Sequence, residues 1–473
     1  MVGAAPEPRL KQVTLVLTER CNQRCGYCYV PTDRGRTMPD EVARAGVDLL
    51  FAHAARVGTV SFSFFGGEPF LEAGLMRRVA AAAAGRRRLG QRVGFGTPTN
   101  ATALDDEALA VARDLRMELA VSLDGEGSER RFAGGGSAED AARFGIRRLL
   151  GLPLAGLTAR LTVTPGNVGH LAANVARTFA LGLTKIVYLP AYEAAWDAAA
   201  VATWRAQHEE LAGWLLARAR ARTPNPELPS WRGILARLDG APRRHCGAGV
   251  TQVTVATDGA IYPCYRTAFD PARDRAVLGH VAQGLAYPER WAAHAALDPQ
   301  RPQPAAGSCA SCDAAGGCTF FCPALGHLLL GDIGRVPAVA CELMRAQVAA
   351  ARACGAQLQD RAAPRGPGLW AAAAMGLFIT SAAAGCGDRA LPGPDNGDGP
   401  IGGVCPVQTT DAGVQDGQIG GVCQVDGSRP ADAPLGGVCP VYIDAGQSDM
   451  MVGGVCAYQP DGPVGGVCPA GIC

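Results

Sequence analysis

The chain has 473 residues, which is long enough for two or three domains, and its formal net charge is only +1. This small net charge is the sum of two regions with opposite charge. Residues 387–473 contain ten Asp, two Arg and neither Lys nor Glu, so they carry −8 and the remainder carries +9. No basic patch interleaved with aromatic residues is present, which argues against a nucleic-acid partner. Residues 1–8 contain no apolar run, so we expect residues 1–355 to be cytoplasmic, where thiols stay reduced.

Strand and helix patterns alternate from residue 12 to about residue 223. The predicted strands are Gln12–Leu17, Thr59–Phe65, Gln91–Thr97, Met117–Leu123, Ala159–Thr164 and Lys185–Leu189. Helical patterns between them cover Pro39–Val57, Asp105–Arg116, Ala138–Leu150 and Leu171–Leu181. Six such units predict an α/β fold in which parallel strands form a barrel or partial barrel, with the chemistry at the carboxyl ends of the strands.

Three cysteines directly follow the first predicted strand. Cys21, Cys25 and Cys28 have the spacing CxxxCxxC. Three thiolates bind only three of the four irons of a [4Fe–4S] cluster, which leaves one iron for a chelating small molecule. An incomplete set of protein ligands is typical of catalytic metal sites. The alternative is a structural zinc knuckle, because zinc sites also use closely spaced cysteine pairs.

The sequence GGEP, residues Gly66, Gly67, Glu68 and Pro69, follows the second predicted strand. Together with CxxxCxxC, it makes the chain similar to the radical S-adenosylmethionine (SAM) superfamily. The resemblance implies a (β/α)6 partial TIM barrel and a [4Fe–4S] cluster that binds SAM. It also implies reductive cleavage of SAM to a 5′-deoxyadenosyl radical, with an electron donor such as a flavodoxin or ferredoxin.

The same resemblance implies which residues contact SAM. The Gly-Gly backbone would bind the methionine end, because glycine permits a close approach. Glu68 would fix that loop or bind the methionine ammonium. Tyr27 would contact the adenine through its backbone, or else simply pack the cluster loop. In the motif SLDG, Ser122 would hold the SAM carboxylate and ribose together with a nearby arginine. The expected cofactor-binding residues are Tyr27, Gly66, Gly67, Glu68, Pro69, Ser122, Arg131 and Leu189.

Seven further cysteines lie between residues 246 and 341. Their pattern is Cys246-x12-Gly259-x4-Cys264, then Cys309-x2-Cys312-x5-Cys318-x3-Cys322, then Cys341. It resembles the SPASM extension of peptide-modifying radical SAM enzymes, which houses two auxiliary [4Fe–4S] clusters. By this resemblance the first auxiliary cluster is held by Cys246, Cys264 and Cys322, and the second by Cys309, Cys312, Cys318 and Cys341. The alternative is a pair of zinc sites.

The count of ligands in this region is incomplete. Two fully ligated clusters need eight protein ligands, and the pattern supplies seven. The first auxiliary cluster therefore has an open iron, unless His245, Cys354 or a water completes it. In anaerobic sulfatase maturases, which share the architecture, an Asp acting as base follows the cysteine that matches Cys264. Here Tyr265 follows, so we do not expect sulfatase maturation.

A short apolar run, Leu369–Ala384, follows two arginines and ends in small residues before Cys386. It resembles a bacterial lipoprotein signal inside the chain. This resemblance implies membrane association through residues 369–386, with export or lipid anchoring of the tail if the chain is cleaved at Cys386. The alternative is an Ala-rich packed helix, and the run is short for a membrane-spanning helix.

The tail, residues 387–473, is rich in Gly, Pro and Asp and has few large apolar residues, which predicts disorder. The sequence GGVC recurs in it five times, at Gly402–Cys405, Gly420–Cys423, Gly436–Cys439, Gly453–Cys456 and Gly465–Cys468. Identical small targets on an unfolded string are typical of a multiply modified precursor peptide. The alternatives are metal capture by the thiols, or disulfides after export.

The sequence thus predicts four regions. They are a radical SAM partial barrel (1–235), a SPASM domain (236–355), a linker with the signal-like segment (356–386) and the GGVC tail (387–473). The leading hypothesis is a peptide- or protein-modifying enzyme that forms thioether or related crosslinks at GGVC units, in its own tail or elsewhere. One alternative is a maturase of a separate protein in trans, with an incidental tail. Another is a non-catalytic metal-binding lipoprotein scaffold.

Overall fold

The computed structural model describes residues 9–32, 35–55 and 58–362, together with the backbone of two short strands in the tail. Residues Met1–Met375 form one compact unit and Gly376–Cys473 form another. The signal-like segment, residues 369–386, lies outside the described residues. Within the described residues, no helix has the length and apolar character needed to cross a membrane.

Six parallel strands lie side by side in chain order. They are β1 Gln12–Thr18, β2 Gly58–Gly66, β3 Gln91–Thr99, β4 Glu118–Ser122, β5 Gly156–Val163 and β6 Lys185–Pro190. The helices that follow them are α1 Asp40–His53, α2 Ala73–Arg86, α3 Asp106–Asp114, α4 Glu139–Leu150, α5 Leu171–Ala180 and α6 Ala198–Arg220. This arrangement confirms the predicted α/β fold with a parallel sheet at its core, and it brings the carboxyl ends of all six strands to one edge.

The predicted element boundaries were accurate for the strands and less so for the first helix. Helix α1 ends at His53, four residues before the predicted end. The reason is tertiary: the Leu10 N–H bonds the His53 carbonyl at 3.1 Å, and Leu10 pairs with Ala54, which is extended. Helix α2 was not predicted, because its alanine-rich sequence has only a weak apolar stripe.

The second half of the chain extends the same sheet. Strands β7 Gln252–Val255 and β8 Ala260–Tyr262 form an antiparallel hairpin, and β9 Gly279–His280 follows at the edge. Gly259 in the hairpin turn has a φ of +88°, a conformation that favours glycine. Strand β7 also pairs in parallel with β1, which the sequence did not predict. The result is one nine-stranded sheet in the order β6-β5-β4-β3-β2-β1-β7-β8-β9.

The remaining elements pack onto this sheet or connect the cysteines. They are α7 Pro229–Leu238, α8 Tyr265–Ala268, α9 Pro288–Ala295, β10 Gln303–Pro304, α10 Pro323–Leu330, β11 Arg335–Val336 and α11 Ala338–Ala362. The Trp204 indole of α6 donates to the Leu343 carbonyl of α11 at 2.9 Å. Val13, Val253 and Leu343 all belong to one apolar core. The boundary predicted at residues 235 and 236 therefore does not separate two independent cores.

In the tail the structure describes two strands, β12 Gly437–Val441 and β13 Val452–Cys456, which pair antiparallel. Each contains most or all of a GGVC unit, and Cys439 lies beside Gly454. The other tail residues lie outside the described part of the chain, so their disorder stays a prediction.

Candidate active site

The three amino-terminal cysteines lie together on the loop that leaves the carboxyl end of β1. Burial raises the pKa of Cys25 to about 11; the positive charge of Arg130 opposes this rise, and the neighbouring thiols of Cys28 and Cys21 add to it. Burial likewise raises the pKa of Cys21 to about 11. The structure therefore brings the three sequence-predicted ligands into one small volume, in which a bound cation would be needed to hold them as thiolates.

A network of amides and one hydroxyl fastens this cluster loop to the end of β3. Asn22 Nδ2 and Gln23 Nε2 both donate to Thr102 Oγ1, at 2.9 and 3.0 Å. Asn100 Nδ2 donates to Asn22 Oδ1 at 2.7 Å and approaches Cys21 Sγ at 3.8 Å. Sequence reasoning did not select Asn100 or Thr102, although Asn100 follows the third predicted strand at the catalytic edge. Such contacts orient ligands without binding the metal.

The two glycines of GGEP are required by the protein's own backbone. A Cβ on Gly66, whose φ is +142°, would lie 1.9 Å from the Thr18 carbonyl oxygen. A Cβ on Gly67 would lie 2.1 Å from the Arg20 carbonyl oxygen. The start of the cluster loop, Thr18 to Cys21, therefore lies against the two glycines at the close distance that was expected for SAM. A contact between these glycines and SAM stays a prediction.

Replacing Gly66 by alanine is expected to destabilise the protein by about 3 kcal/mol or more, because backbone atoms must move to admit the methyl group. Thermal unfolding and iron content of the anaerobically purified protein measure the effect. Gly85→Ala in α2 is the matched control, since its Cβ would meet nothing within 4 Å. That control should gain about 0.5–1 kcal/mol. Equal unfolding temperatures for the two variants would contradict this account of Gly66.

Glu68 acts inside the loop. Its side chain is 0% exposed and accepts hydrogen bonds from the Phe70 N–H (3.2 Å), the Thr99 hydroxyl (2.9 Å) and the Asn100 N–H (2.7 Å). Pro69 begins the 3-10 turn that Glu68 caps. Burial raises the pKa of Glu68 to about 6, against the effect of these donors. Of the two roles expected for Glu68, the structure shows the first, which is to fix the loop.

The buried arginine at this edge is Arg130, and the expected SAM contact of its neighbour Arg131 stays a prediction. Arg130 is 1% exposed and donates to the carbonyls of Ser122 (2.7 Å) and Asn100 (2.8 Å), and it pairs with Glu139 at 3.3 Å. The exposed Arg131 donates to the backbone carbonyls of Ser128 and Arg130 in its own loop. Adjacent arginines look alike in a sequence, so nothing in the pattern distinguished them.

The tyrosine of the cluster loop is held by the SLDG motif. Tyr27 donates its hydroxyl to Asp124 Oδ2 at 2.5 Å, and Asp124 Oδ1 accepts from the Thr162 N–H at 2.8 Å. Burial raises the pKa of Asp124 to about 6. The Tyr27 side chain therefore packs and ties the loop, and its backbone contact with adenine stays a prediction.

Ser122, Arg160 and Leu189 share one face of the sheet. Ser122 pairs with Arg160 across β4 and β5, and Arg160 pairs with Val187 of β6, two residues before Leu189. The opposite face at these strands is buried under helices, whereas Leu189 is 38% exposed. Two expected SAM contacts thus line the inner face at the catalytic edge. Arg160, which sequence reasoning missed, adds a positive charge there.

The later cysteines lie near one another in two groups, and their assignment as cluster ligands stays a prediction. Burial raises the pKa of Cys264 to about 12, and the nearby thiols of Cys322 and Cys246 contribute. Burial raises the pKa of Cys341, with contributions from three other thiols of its set. That second set comprises Cys309, Cys312, Cys318 and Cys341. The sets gather residues up to 76 positions apart in the chain (Cys246 to Cys322).

Aromatic contacts join the cluster loop to the first of these sets. The ring of Tyr265, next to Cys264, stacks on Phe65 at the end of β2 with centroids 4.2 Å apart. Tyr29, next to Cys28, lies 6.3 Å from Phe269. These four rings form a small apolar cluster of their own with Val16 and Val30. The first auxiliary set therefore lies at the same end of the sheet as Cys21, Cys25 and Cys28.

Cys354 and His245 are the two candidate side chains for an eighth ligand, which would complete the first auxiliary cluster. Cys354 is 4% exposed inside α11, and its pKa is raised by burial alone, with no contribution from another thiol. It therefore does not complete the first auxiliary set. His245 Nδ1 accepts the Gly247 N–H at 2.8 Å, so in the neutral ring the proton lies on Nε2. That nitrogen is buried without a partner among the described residues, and a protonated nitrogen donates a hydrogen bond and does not bind iron.

The donor chemistry of the three sets fits clusters better than single ions. Among residues 9–32, 35–55 and 58–362, no three Cys, His, Asp or Glu side chains are arranged closely enough to hold one metal ion. In a [4Fe–4S] cluster each thiolate binds a different iron, so the sulfurs are spaced more widely than around one zinc.

Iron content tests these sets. The anaerobically reconstituted protein should contain about 12 iron atoms per chain, four for each of three clusters. Replacing Cys21, Cys25 and Cys28 together by alanine should remove about four of them. The control, Cys354→Ala, should remove none. Stoichiometric zinc bound by Cys309, Cys312, Cys318 and Cys341 would contradict the auxiliary clusters.

Comparison with known proteins agrees with this site. Residues 15–167 match the Radical SAM superfamily, and this stretch includes the CxxxCxxC and GGEP motifs. The chain therefore contains a radical SAM domain, and this superfamily implies a [4Fe–4S] cluster and SAM as cofactors.

The curated relatives match about a quarter of the chain. GTP 3′,8-cyclase of Mycobacterium marinum is 38% identical over 111 residues, which are 23% of this chain and 29% of the cyclase. GTP 3′,8-cyclase of Corynebacterium glutamicum is 31% identical over 123 residues, which are 25% of this chain and 32% of the cyclase. The chain thus spans about a third of the length of these relatives.

Solved structures share the fold over a longer stretch. Native anSMEcpe with bound AdoMet and the Cp18Cys peptide superposes with a TM-score of 0.59 at 16% identity. That match covers 75% of this chain and 100% of the other. Native anSMEcpe with bound AdoMet gives a TM-score of 0.61 at 15% identity. The shared fold therefore extends well beyond residues 15–167.

Proposed function

We propose that this protein is a radical SAM enzyme that modifies cysteine-containing peptide segments, and that the GGVC units of its own tail are its substrate. The observation that carries the proposal is the grouping of ten cysteines into sets of three, three and four. The first set suits a cluster that binds SAM. The other two suit the auxiliary clusters that peptide-modifying relatives carry.

The chemistry balances with one electron supplied and one removed. Cys21, Cys25 and Cys28 would hold a [4Fe–4S] cluster, which would supply the one electron needed to cleave SAM to methionine and the 5′-deoxyadenosyl radical. The radical takes one hydrogen atom from a Gly Cα or from the Val side chain of a GGVC unit. Bonding of that carbon to the cysteine sulfur makes a thioether, releases the thiol proton and gives up one electron. A flavodoxin or ferredoxin would supply the first electron, and an oxidised auxiliary cluster would accept the second.

The described residues would hold this reaction in place. The Asn22, Asn100 and Thr102 network keeps the cluster loop at the strand edge, and Glu68 fixes the GGEP turn beside it. The aromatic contact between Tyr265 and Phe65 fixes the first auxiliary set at the same edge. Preorganised positioning of this kind lowers the entropic part of the barrier.

Two observations favour a peptide substrate. The peptide-bound structure of anSMEcpe has the same fold over three quarters of this chain. The tail carries −8 against +9 for the rest of the protein, so charge favours its docking. Covalent attachment also raises its local concentration to roughly millimolar. Maturation of a separate protein in trans is the second candidate, and the match of residues 15–167 to the Radical SAM superfamily argues against a non-catalytic scaffold.

Intact-mass analysis of the full-length protein tests the proposal. Protein that has reacted with SAM and a reductant should lose the mass of two hydrogens for each modified unit, and at most five units can be modified. The modified cysteines should resist alkylation. Cys405→Ser should remove one such step. Cys473→Ser, which lies outside the five units, is the control and should remove none. An unmodified mass with all six thiols from Cys405 onward alkylated would reject the self-modification and favour a substrate in trans.

A further inference from the structure

Each GGVC unit is preceded by an aspartate at a fixed distance. In all five units an Asp lies seven residues before the cysteine. The five octapeptides are Asp398–Cys405, Asp416–Cys423, Asp432–Cys439, Asp449–Cys456 and Asp461–Cys468. They share the pattern Asp-x-x-(Ile/Leu/Val)-Gly-Gly-Val-Cys, which we call the octapeptide unit.

The distance from aspartate to cysteine is constant, whereas the residues inside the unit and the lengths of the spacers between units vary. Within the unit, the second residue is Gly, Ala or Met and the third is Pro, Gln or Met. Between units, the step from the cysteine of one unit to the aspartate that begins the following unit is 11, 9, 10 and 5 residues. Five further tail aspartates have no such relation to a cysteine: Asp388, Asp395, Asp411, Asp426 and Asp444. A need for solubility alone would not place an aspartate seven residues before the cysteine in all five units.

Strands β12 and β13 contain Gly437–Cys439 and Gly453–Cys456 of two units. In a fully extended octapeptide, with a rise of about 3.3 Å per residue, the aspartate would lie roughly 23 Å from the cysteine. The carboxylate and the thiol of a unit bound in that conformation would contact different places on a partner surface. An anchor at one end fixes which residue of the unit reaches the reactive centre.

The enzyme offers cationic groups beside the cluster loop. Arg24 and Arg131 are exposed, and the Arg24 N–H bonds the Arg131 carbonyl at 2.8 Å, so the two chain segments are adjacent. Their guanidinium groups contact only backbone carbonyls of their own loops and form no ion pair with any residue of the described part of the chain. A guanidinium that lacks a carboxylate partner can bind one in a bidentate, charge-assisted pair.

We infer that the octapeptide unit is the element that the enzyme recognises, and that its aspartate binds a cationic side chain and sets the register for the Gly-Gly-Val-Cys end. This inference rests on the proposed function, and it names the substrate class as an aspartate-anchored octapeptide. The recognition is carried by charge and spacing together, so a carboxylate elsewhere in the tail does not replace it.

Paired tail variants of the full-length protein test the anchor. Asp416→Asn should slow modification of the unit ending at Cys423 by about tenfold, the loss of one charge-assisted pair, and leave the other four units unchanged. Asp426→Asn, three residues after Cys423, removes the same charge outside the pattern and should have no effect. Peptide mapping of reacted protein over time measures both. Equal rates at Cys423 in the two variants would overturn the anchor.

Register is tested by deletions. Removing Gln418 keeps Asp416 but shortens its unit by one residue, and it should slow modification at Cys423 as Asp416→Asn does. Removing Thr409 from the preceding spacer should change nothing, because spacer length already varies. Unchanged modification at Cys423 after the Gln418 deletion would overturn the fixed spacing.

A binding measurement separates this inference from the proposed function. The octapeptide Asp416–Cys423 and the same peptide with the substitution Asp416→Asn are titrated into the full-length protein at low and high salt. We expect about tenfold tighter binding of the aspartate form, with the advantage reduced at high salt. Equal binding overturns the inference even if the tail is modified. Selective binding without any mass change supports the anchor and rejects the self-modification.

Discussion

Cys25→Ala is expected to abolish reductive cleavage of SAM to 5′-deoxyadenosine. Burial raises the pKa of Cys25, and the nearby thiols of Cys28 and Cys21 raise it further, so the three thiols lie close together. Two remaining thiolates cannot hold a [4Fe–4S] cluster in the three-ligand form that leaves one iron for SAM. The measurement is the amount of 5′-deoxyadenosine formed by anaerobically reconstituted protein with a chemical reductant.

Cys354→Ala is the matched control for this prediction. It removes a buried thiol as well, but one that lies in α11 and away from the three sets. Its cleavage activity should match that of the parent protein, with at most a modest loss of stability. Cleavage by Cys25→Ala at the parent rate would remove the proposed SAM-binding set.

Arg130→Met is expected to destabilise the protein by about 3–5 kcal/mol and to lower SAM cleavage with it. The substitution leaves the buried Glu139 without its cation and the carbonyls of Ser122 and Asn100 without a donor. These carbonyls end β4 and β3, so the catalytic edge loses a connection between two strands. The unfolding temperature should fall by roughly 10 °C, as measured by thermal unfolding of the anaerobic protein.

Two variants control this second prediction. Arg143→Met breaks the exposed pair with Asp140 on α4, and it should cost no more than about 1 kcal/mol. Adding Glu139→Gln to Arg130→Met should recover part of the loss, because no uncompensated buried charge then remains. If Arg130→Met and Arg143→Met unfold at the same temperature, the buried pair does not have the role described here.

The positions and the parallel arrangement of the six strands were predictable because they depend on local patterns. Alternating apolar segments gave all six parallel strands within a few residues, and parallel order then placed Cys21, Cys25, Cys28 and GGEP at one edge. The octapeptide pattern of the tail is equally local. Cysteine spacing also indicated cluster chemistry, because thiolate ligands close in sequence need only a short loop to meet.

Contacts between distant segments needed the tertiary structure. The parallel pairing of β7 with β1 joins residues 240 positions apart (Gln12 with Gln252), and no local pattern encodes it. The same is true of Arg130 and Asn100, whose importance comes from what surrounds them and not from their own neighbours. The glycines of GGEP were selected for an expected contact with SAM, and the structure shows a different reason for them: a methyl group there would meet the Thr18 and Arg20 carbonyls. Sequence alone therefore determined the elements and the kind of ligands. The packing of remote backbone decided which side chains are buried, charged and close enough to act together, because burial and proximity are properties of the folded chain.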